Sequence, residues 1–152
     1  RVAKQEAIDF MGDLTQLISN HGTCFCFEPL EPEVTDFINS ALDSLKIVEM
    51  VDHPSLKVQL DAKALAANDE IEIGVFRKTS AHLVHVHANE PDMGVLGSSG
   101  KVDHREIGRL LNQIGYDLFV SIEQRMLNEN DPLTDVKRSA KVLRDLYASN
   151  SK

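Results

Sequence analysis

Apolar residues along this chain keep two rhythms. In four short stretches they alternate with a second set of side chains: residues 23–29 (TCFCFEP), 56–61 (LKVQLD), 81–92 (AHLVHVHANEPD) and 118–123 (LFVSIE). Successive side chains of a strand point to opposite faces, so each stretch predicts a strand with one aliphatic face. The opposite face carries Cys24, Cys26 and Glu28; Lys57, Gln59 and Asp61; His85 and His87; and Phe119, Ser121 and Glu123. Val84 and Val86 fall opposite the two histidines. Each stretch therefore closes on an acid or a histidine that leaves the strand on the non-aliphatic face.

Between these stretches the apolar spacing changes to three and four. Residues 3–19 place Ala7, Phe10, Met11, Leu14, Leu17 and Ile18 on one stripe that predicts a helix, and His21 and Gly22 end it. Residues 35–51 do the same with Ile38, Ala41, Leu42, Leu45 and Val48, and Asp52, His53 and Pro54 stop that helix. Residues 62–67 favour helix. In residues 70–80, Ile71, Ile73 and Val75 alternate, yet parallel strands on either side require a crossover there, so a helix is expected. A long Gly-rich loop follows from Glu90 to Lys101, of the kind expected to be mobile and to cover a substrate. Asp103 with Glu106 forms a capping box before the stripe of Ile107, Leu110, Leu111 and Ile114, and Gly115 ends that helix. Asp131 and Pro132 open the last helix, with Val136, Ala140, Leu143 and Tyr147 as its stripe. The order is one helix, then four strand–helix units. Glu28, Asp61, His87 and Glu123 follow one another at steps of 33, 26 and 36 residues, close to the ~30 residues of one strand–helix–strand unit. This predicts an α/β fold with four parallel strands, flanking helices, and all four closing residues at the C-terminal edge, where such sheets and barrels carry their sites.

Composition narrows the partners. The chain has 152 residues, one domain over 1–152, and 24 Asp plus Glu against 16 Lys plus Arg, a formal charge of −8. That balance argues against a nucleic-acid partner, because phosphate binding is driven by Lys and Arg. Cys24 and Cys26 share a strand face and are expected to be small buried thiols. Two cysteines make neither a disulfide framework nor a zinc ribbon, which points to a reducing cytoplasm. No stretch reads as a signal peptide or as a bilayer span, so no membrane partner is expected. Beginning at Arg1 without Met, the chain reads as a fragment or a processed product.

Two glutamates, an aspartate and a histidine on one edge make a mixed oxygen and nitrogen ligand set. It suits Mn²⁺, Mg²⁺ or Co²⁺, and Zn²⁺ less exclusively than thiolates would. One such acid alone reads as a strand cap or a solvated carboxylate. Four in phase predict one divalent metal ion held by Glu28, Asp61, His87 and Glu123. His85, one layer deeper, is expected to be buried and hydrogen-bonded behind the ligand histidine. His21, His53, His82 and His104 fall at helix ends or on the surface. Lys137, Arg138, Lys141 and Arg144 make a solvated helix face, and residues 97–100 (GSSG) lack the lysine of a phosphate loop.

Taken together, HVHANEPD, the Gly-rich loop, VDHREI, a helix ending in IGYD, and VSIE resemble the xylose isomerase-like TIM-barrel superfamily of sugar phosphate isomerases and epimerases, over about residues 24–123. The resemblance implies half of a (β/α)8 TIM barrel, its C-terminal half with strands five to eight. The family's metal ligands fall on Glu28 in FEP, Asp61 in QLD, His87 in HVH and Glu123 in SIE. The implied activity is a metal-dependent isomerase or epimerase acting on a small sugar or sugar derivative through an enediolate, with Glu28 and Glu123 as the catalytic pair that moves the proton. Ala64 stands where many members have a histidine, and Met93 where ketose epimerases have an arginine. Lys63, in LDAKAL, is therefore expected to contact substrate, together with Glu90 and His85. The alternative readings are a lyase or dehydratase of the inosose or dehydroshikimate type on the same barrel, and a non-catalytic barrel fragment. A full barrel takes about 250 residues, so the chain is expected to pair with a missing N-terminal half or to homo-oligomerise.

Overall fold

Leu56, Val58, Leu60 and Val86 are wholly excluded from solvent and fix the middle of the fold. The computed structural model describes residues 2–148. It runs α1 (Val2–Ile18), β1 (Phe25–Phe27), α2 (Ala41–Val51), β2 (Leu56–Asp61), α3 (Ala62–Ala67), α4 (Ile73–Thr79), β3 (Leu83–Ala88), α5 (His104–Gln113), β4 (Phe119–Ile122) and α6 (Pro132–Tyr147). The strands pair in parallel and in chain order, β1-β2-β3-β4. Parallel neighbours need a crossover, and the helices between strands supply it; α4 is helical although its apolar residues alternate. Ala41, Leu45 and Val48 of α2, Phe76 of α4, and Ile107, Leu110 and Leu111 of α5 pack on the aliphatic strand face. The opposite face is open: Phe119 is 77% exposed, and Lys57, Gln59 and His85 are half-buried. No helix among the described residues is long and apolar enough to cross a membrane.

Helix starts are set by side chains that take up free backbone N–H groups. Ser40 accepts from Asp43 N, Asp61 from Ala64 N, Asp103 from Glu106 N and Asp131 from Thr134 N. Only half of the capping box at Asp103 forms, because the Glu106 carboxylate turns to Arg109 instead. Helix α2 starts later than its apolar spacing predicts. Ile38 takes a left-handed φ of 59°, and Asn39 Nδ2 donates to Leu30 O (3.0 Å) and Thr35 O (2.7 Å), so the segment before Ser40 is a tied loop.

Other expectations are corrected by what packs where. Phe10 and Leu17 of α1 point outward, at 63% and 75% exposed, while Thr15 is fully buried. The Thr15 hydroxyl bonds back to Met11 O and Gly12 O, so it enters the interior without an unmet polar group. In α6 Val136 is exposed and Ser139 is buried, because the Ser139 hydroxyl receives Leu96 N and donates to Gln124 Oε1. Cys24 and Cys26 are half-buried free thiols rather than buried ones; burial and the neighbouring Cys24 push the Cys26 thiol up to about 11. The 90–101 loop is packed, not a loose cover: Val95 and Leu96 are buried, and Arg125 N donates to Met93 O.

One irregularity lies in β3. Val58 pairs with Leu83 but Gln59 pairs with His85, which leaves Val84 as an extra residue. This bulge sends Leu83 to the helix-covered face while His85 and His87 both look to the open one. Val84 therefore does not share a regular face with Val86.

Candidate functional site

The C-terminal ends of the four strands bring Glu28, Asp61, His87 and Glu123 together. Asp61 and His87 lie opposite one another in the β2–β3 ladder. Glu123 is placed by its own N–H, which continues the pairing to Ala88 O at 3.0 Å. Glu28 leaves β1 one residue after Phe27. His87 Nδ1 donates to Glu28 Oε1 at 2.9 Å and lies 3.6 Å from Glu123 Oε2.

A ring nitrogen of His87 and one carboxylate oxygen each of Glu28 and Asp61 lie within 4.8 Å of one another. Ligands about 2.0 to 2.2 Å from one ion sit at most about 4.4 Å apart, so small side-chain rotations let these three share a cation. The donor set of one imidazole and two carboxylates fits a divalent ion. Glu123 borders this trio without belonging to it; its Oε2 lies 3.6 Å from His87 Nδ1 and accepts from Asn89 Nδ2 at 2.6 Å.

The electrostatics reflect acids crowded around one imidazole. Burial raises the Asp61 carboxyl to about 6, against the N–H groups of Ala64 and Asn89, and the Glu28 charge adds to the rise. Burial also pushes Glu28 up, but hydrogen bonds from His87 and Gln59 and the charges of His87 and Lys63 outweigh it, so Glu28 sits below the usual carboxylate range. The bond to Glu28 raises His87, and the charges of Glu28, Glu123 and Asp61 reinforce it against burial.

The residues expected to contact substrate part company. Lys63 stands beside the site; its ammonium is 3.4 Å from Glu31 Oε1 and its N–H donates to Asn89 Oδ1. It lines a cavity of about 530 Å³ with Glu31, Val34, Ala66, Pro91 and Lys101. His85 is half-buried and makes no side-chain hydrogen bond among the described residues, which corrects the expectation for it. It meets His87 edge-on, ring centres 5.3 Å apart, and burial with the His87 charge lowers its pKa. Glu90 does not face the site at all. It is fully buried, and its carboxylate accepts from Gly97 N, Ser99 Oγ and His104 Nε2. His104, expected at the surface, is 3% exposed and forms the other side of that contact.

Two site residues escape a reading of acids and histidines alone. Asn89 is fully buried and donates through Nδ2 to both Asp61 Oδ2 (2.5 Å) and Glu123 Oε2 (2.6 Å). The Gln59 amide lies 3.1 Å from His87 Nδ1. The signal for both was parity: Gln59 alternates with Asp61, and Asn89 continues the alternation of His85 and His87.

With this geometry in place, similarity to known proteins is specific. A family model described as xylose isomerase-like TIM barrel matches residues 2–146. The D-psicose 3-epimerase of Ruminiclostridium cellulolyticum is 29% identical over 119 residues, 78% of this chain and 40% of that protein. The ketose 3-epimerase of Arthrobacter globiformis is 26% identical over 140 residues, 92% of this chain and 47% of that protein. The crystal structure of D-psicose 3-epimerase with D-tagatose from Clostridium cellulolyticum H10 superposes with a TM-score of 0.85 at 23% identity, over 95% of this chain and 56% of that one. The chain spans about half the length of the curated relatives it matches.

Proposed function

The chain belongs to the xylose isomerase-like TIM barrel family, and from that premise we propose that residues 1–152 form the half of such a barrel with strands five to eight, and that the complete barrel isomerises or epimerises a small sugar at a divalent metal ion. The observation that carries this reading is the convergence of Glu28, Asp61 and His87 within 4.8 Å, on a sheet edge built by parallel strands. The epimerase names of the relatives favour a ketose as substrate. The open strand face, with Phe119 at 77% exposure, supports a missing half that covers it.

In this proposal Glu28, Asp61 and His87 and, after a small rotation, Glu123 would hold the ion, and the two glutamates would also move the proton. A bound divalent ion would neutralise the crowded carboxylates and stabilise the negative charge that builds on substrate oxygens when a proton next to a carbonyl is removed. Glu28, held below the usual carboxylate range, is ionised near neutral pH and accepts a proton. Glu123, from the opposite edge of the sheet, would enter the turnover as the carboxylic acid and give its proton to the carbon from the other face, so the two glutamates would exchange protonation states in each turnover. Lys63 orients the far end of the sugar, and His85 packs under the reacting end beside His87.

The test is anomalous scattering from crystals of the complete protein grown with Mn²⁺, together with turnover of ketoses. A peak among Glu28, Asp61 and His87 with ketose turnover is the expected result. A protein that binds no divalent ion there, or turns over dehydroshikimate or inosose but no ketose, would overturn it.

A further inference from the structure

A second polar cluster lies behind the site. Glu90, His104 and Tyr147 come from the loop after β3, the start of α5 and the end of α6, and all three are at least nine-tenths buried. Glu90 Oε1 accepts from His104 Nε2 at 2.8 Å and from Gly97 N at 2.5 Å, and Ser99 Oγ donates to Oε2. The other ring nitrogen, His104 Nδ1, meets the Tyr147 hydroxyl at 2.6 Å. A buried carboxylate is tolerated only when its oxygens are filled, and here they are. The approach of α6 depends on Gly108, where a Cβ would come within 1.9 Å of Leu146 O.

Glu90 is the next residue after Asn89, whose amide joins Asp61 to Glu123 and whose Oδ1 takes the Lys63 N–H. Fixing the Glu90 carboxylate thus fixes the peptide that carries Asn89. We infer that Glu90, His104 and Tyr147 are positioning residues: they clamp the 89–90 peptide so that Asn89 holds Asp61 and Glu123 at their working separation. The inference rests on the proposed function for the roles of Asp61 and Glu123, but the clamp is observable without it. The clamp also ties the last described turn of α6 to the rim, so one hydroxyl at Tyr147 acts on carboxylates it never touches.

The experiment follows the Asn89 side-chain amide by NMR in the complete protein, metal-free. Tyr147→Phe removes one hydroxyl and leaves the ring. Glu90→Ala empties the clamp, whereas Glu90→Gln keeps acceptors for Gly97 N and His104. Exchange of the Asn89 amide protons with solvent should quicken about fivefold or more in Tyr147→Phe and Glu90→Ala, the factor one lost hydrogen bond corresponds to. Glu90→Gln should restore most of that protection. Ile107→Val, buried in α5 outside the clamp, serves as the control for general loosening. In turnover, Tyr147→Phe should lower kcat with KM within about twofold. Unchanged Asn89 exchange in Tyr147→Phe, or equal change in Ile107→Val, overturns the inference whether or not the protein is an epimerase. Altered Asn89 exchange in a protein without ketose turnover upholds the clamp and removes the proposed reaction.

Discussion

The central strands and the edge strands contribute differently to the site. β2 and β3 have aliphatic residues with no exposure at all, and the candidate ligands they present are Asp61, at 1% exposure, and the half-buried His87. β1 and β4 flank them with Phe25 at 39% and Phe119 at 77% exposure, and they deliver Glu28 and Glu123 with side chains 30% and 40% exposed. Two of the residues proposed to hold an ion, Asp61 and His87, thus sit on the most buried part of the sheet. Those proposed to move a proton sit at its margins, where access by substrate and reorientation cost least. Glu28 belongs to both groups, so the proposed binding and chemistry overlap at β1 and part only at β4.

The largest expected effect tests that separation. Glu123→Gln in the complete barrel keeps an oxygen for the metal but no base, so kcat should fall by at least ~100-fold while metal content changes little. His87→Ala should instead lose the metal first. Solvent deuterium incorporation next to the substrate carbonyl, with metal analysis of each variant, distinguishes them; wild-type exchange in metal-loaded Glu123→Gln would reduce Glu123 to a ligand. Next in size is the core contrast. Leu60→Ala, at a fully buried central position, should cost about 2 to 5 kcal/mol in denaturant unfolding.

A pH effect of intermediate size follows from Asp61 and His87. Asp61 has its folded pKa raised from 3.8 to about 6, so the folded state holds that proton more tightly than the unfolded chain. Its contribution is present below about pH 4 and lost as pH rises through 6. His87 is also raised, so its share is full below the unfolded value of about 6.5 and lost above it. His85, whose pKa is lowered, adds stability as pH rises to about 6.5 and opposes this, so the metal-free protein should melt at lower temperature as pH rises from about 6.5 to 8, and saturating Mn²⁺ should reverse that slope. A flat profile in EDTA would remove the electrostatic distinction between the central site and its margins. The smallest effect is at the edge: Phe119→Ser should change the stability of this chain by less than about 0.5 kcal/mol. In the complete barrel the same substitution should cost several times more, and equal costs in both would mean that nothing covers the open face.

Much of this was legible in the primary structure for a definite reason. Strand parity and strand-end acids are local signals, so the four strands, their order and the meeting of Glu28, Asp61 and His87 could be read from neighbours a few residues apart. The fates of Glu90 and His104 could not, because their burial depends on each other and on Tyr147, 43 residues beyond His104. A histidine at a helix start reads as exposed unless a distant carboxylate is known to meet it. The stripe of α1 was misplaced by the same kind of blindness: Thr15 counts as polar until its hydroxyl is seen to close on its own helix. The β3 bulge was hidden because its one trace in LVHVH, the adjacent apolar pair Leu83 and Val84, reads equally well as the start of a buried strand.

That bulge makes position 84 a spare link. Inward and outward alternation restarts at His85, so the two histidines take their aim from the rim above them and not from the core residues beneath. Deleting Val84 would leave Leu83 opposite Val58 and His85 opposite Gln59 in an unbroken ladder, with the apolar residues still under the helices and both imidazoles still facing in. Length variation at this one point is therefore silent for the site, whereas a deletion between His85 and His87 would turn one of the two histidines outward.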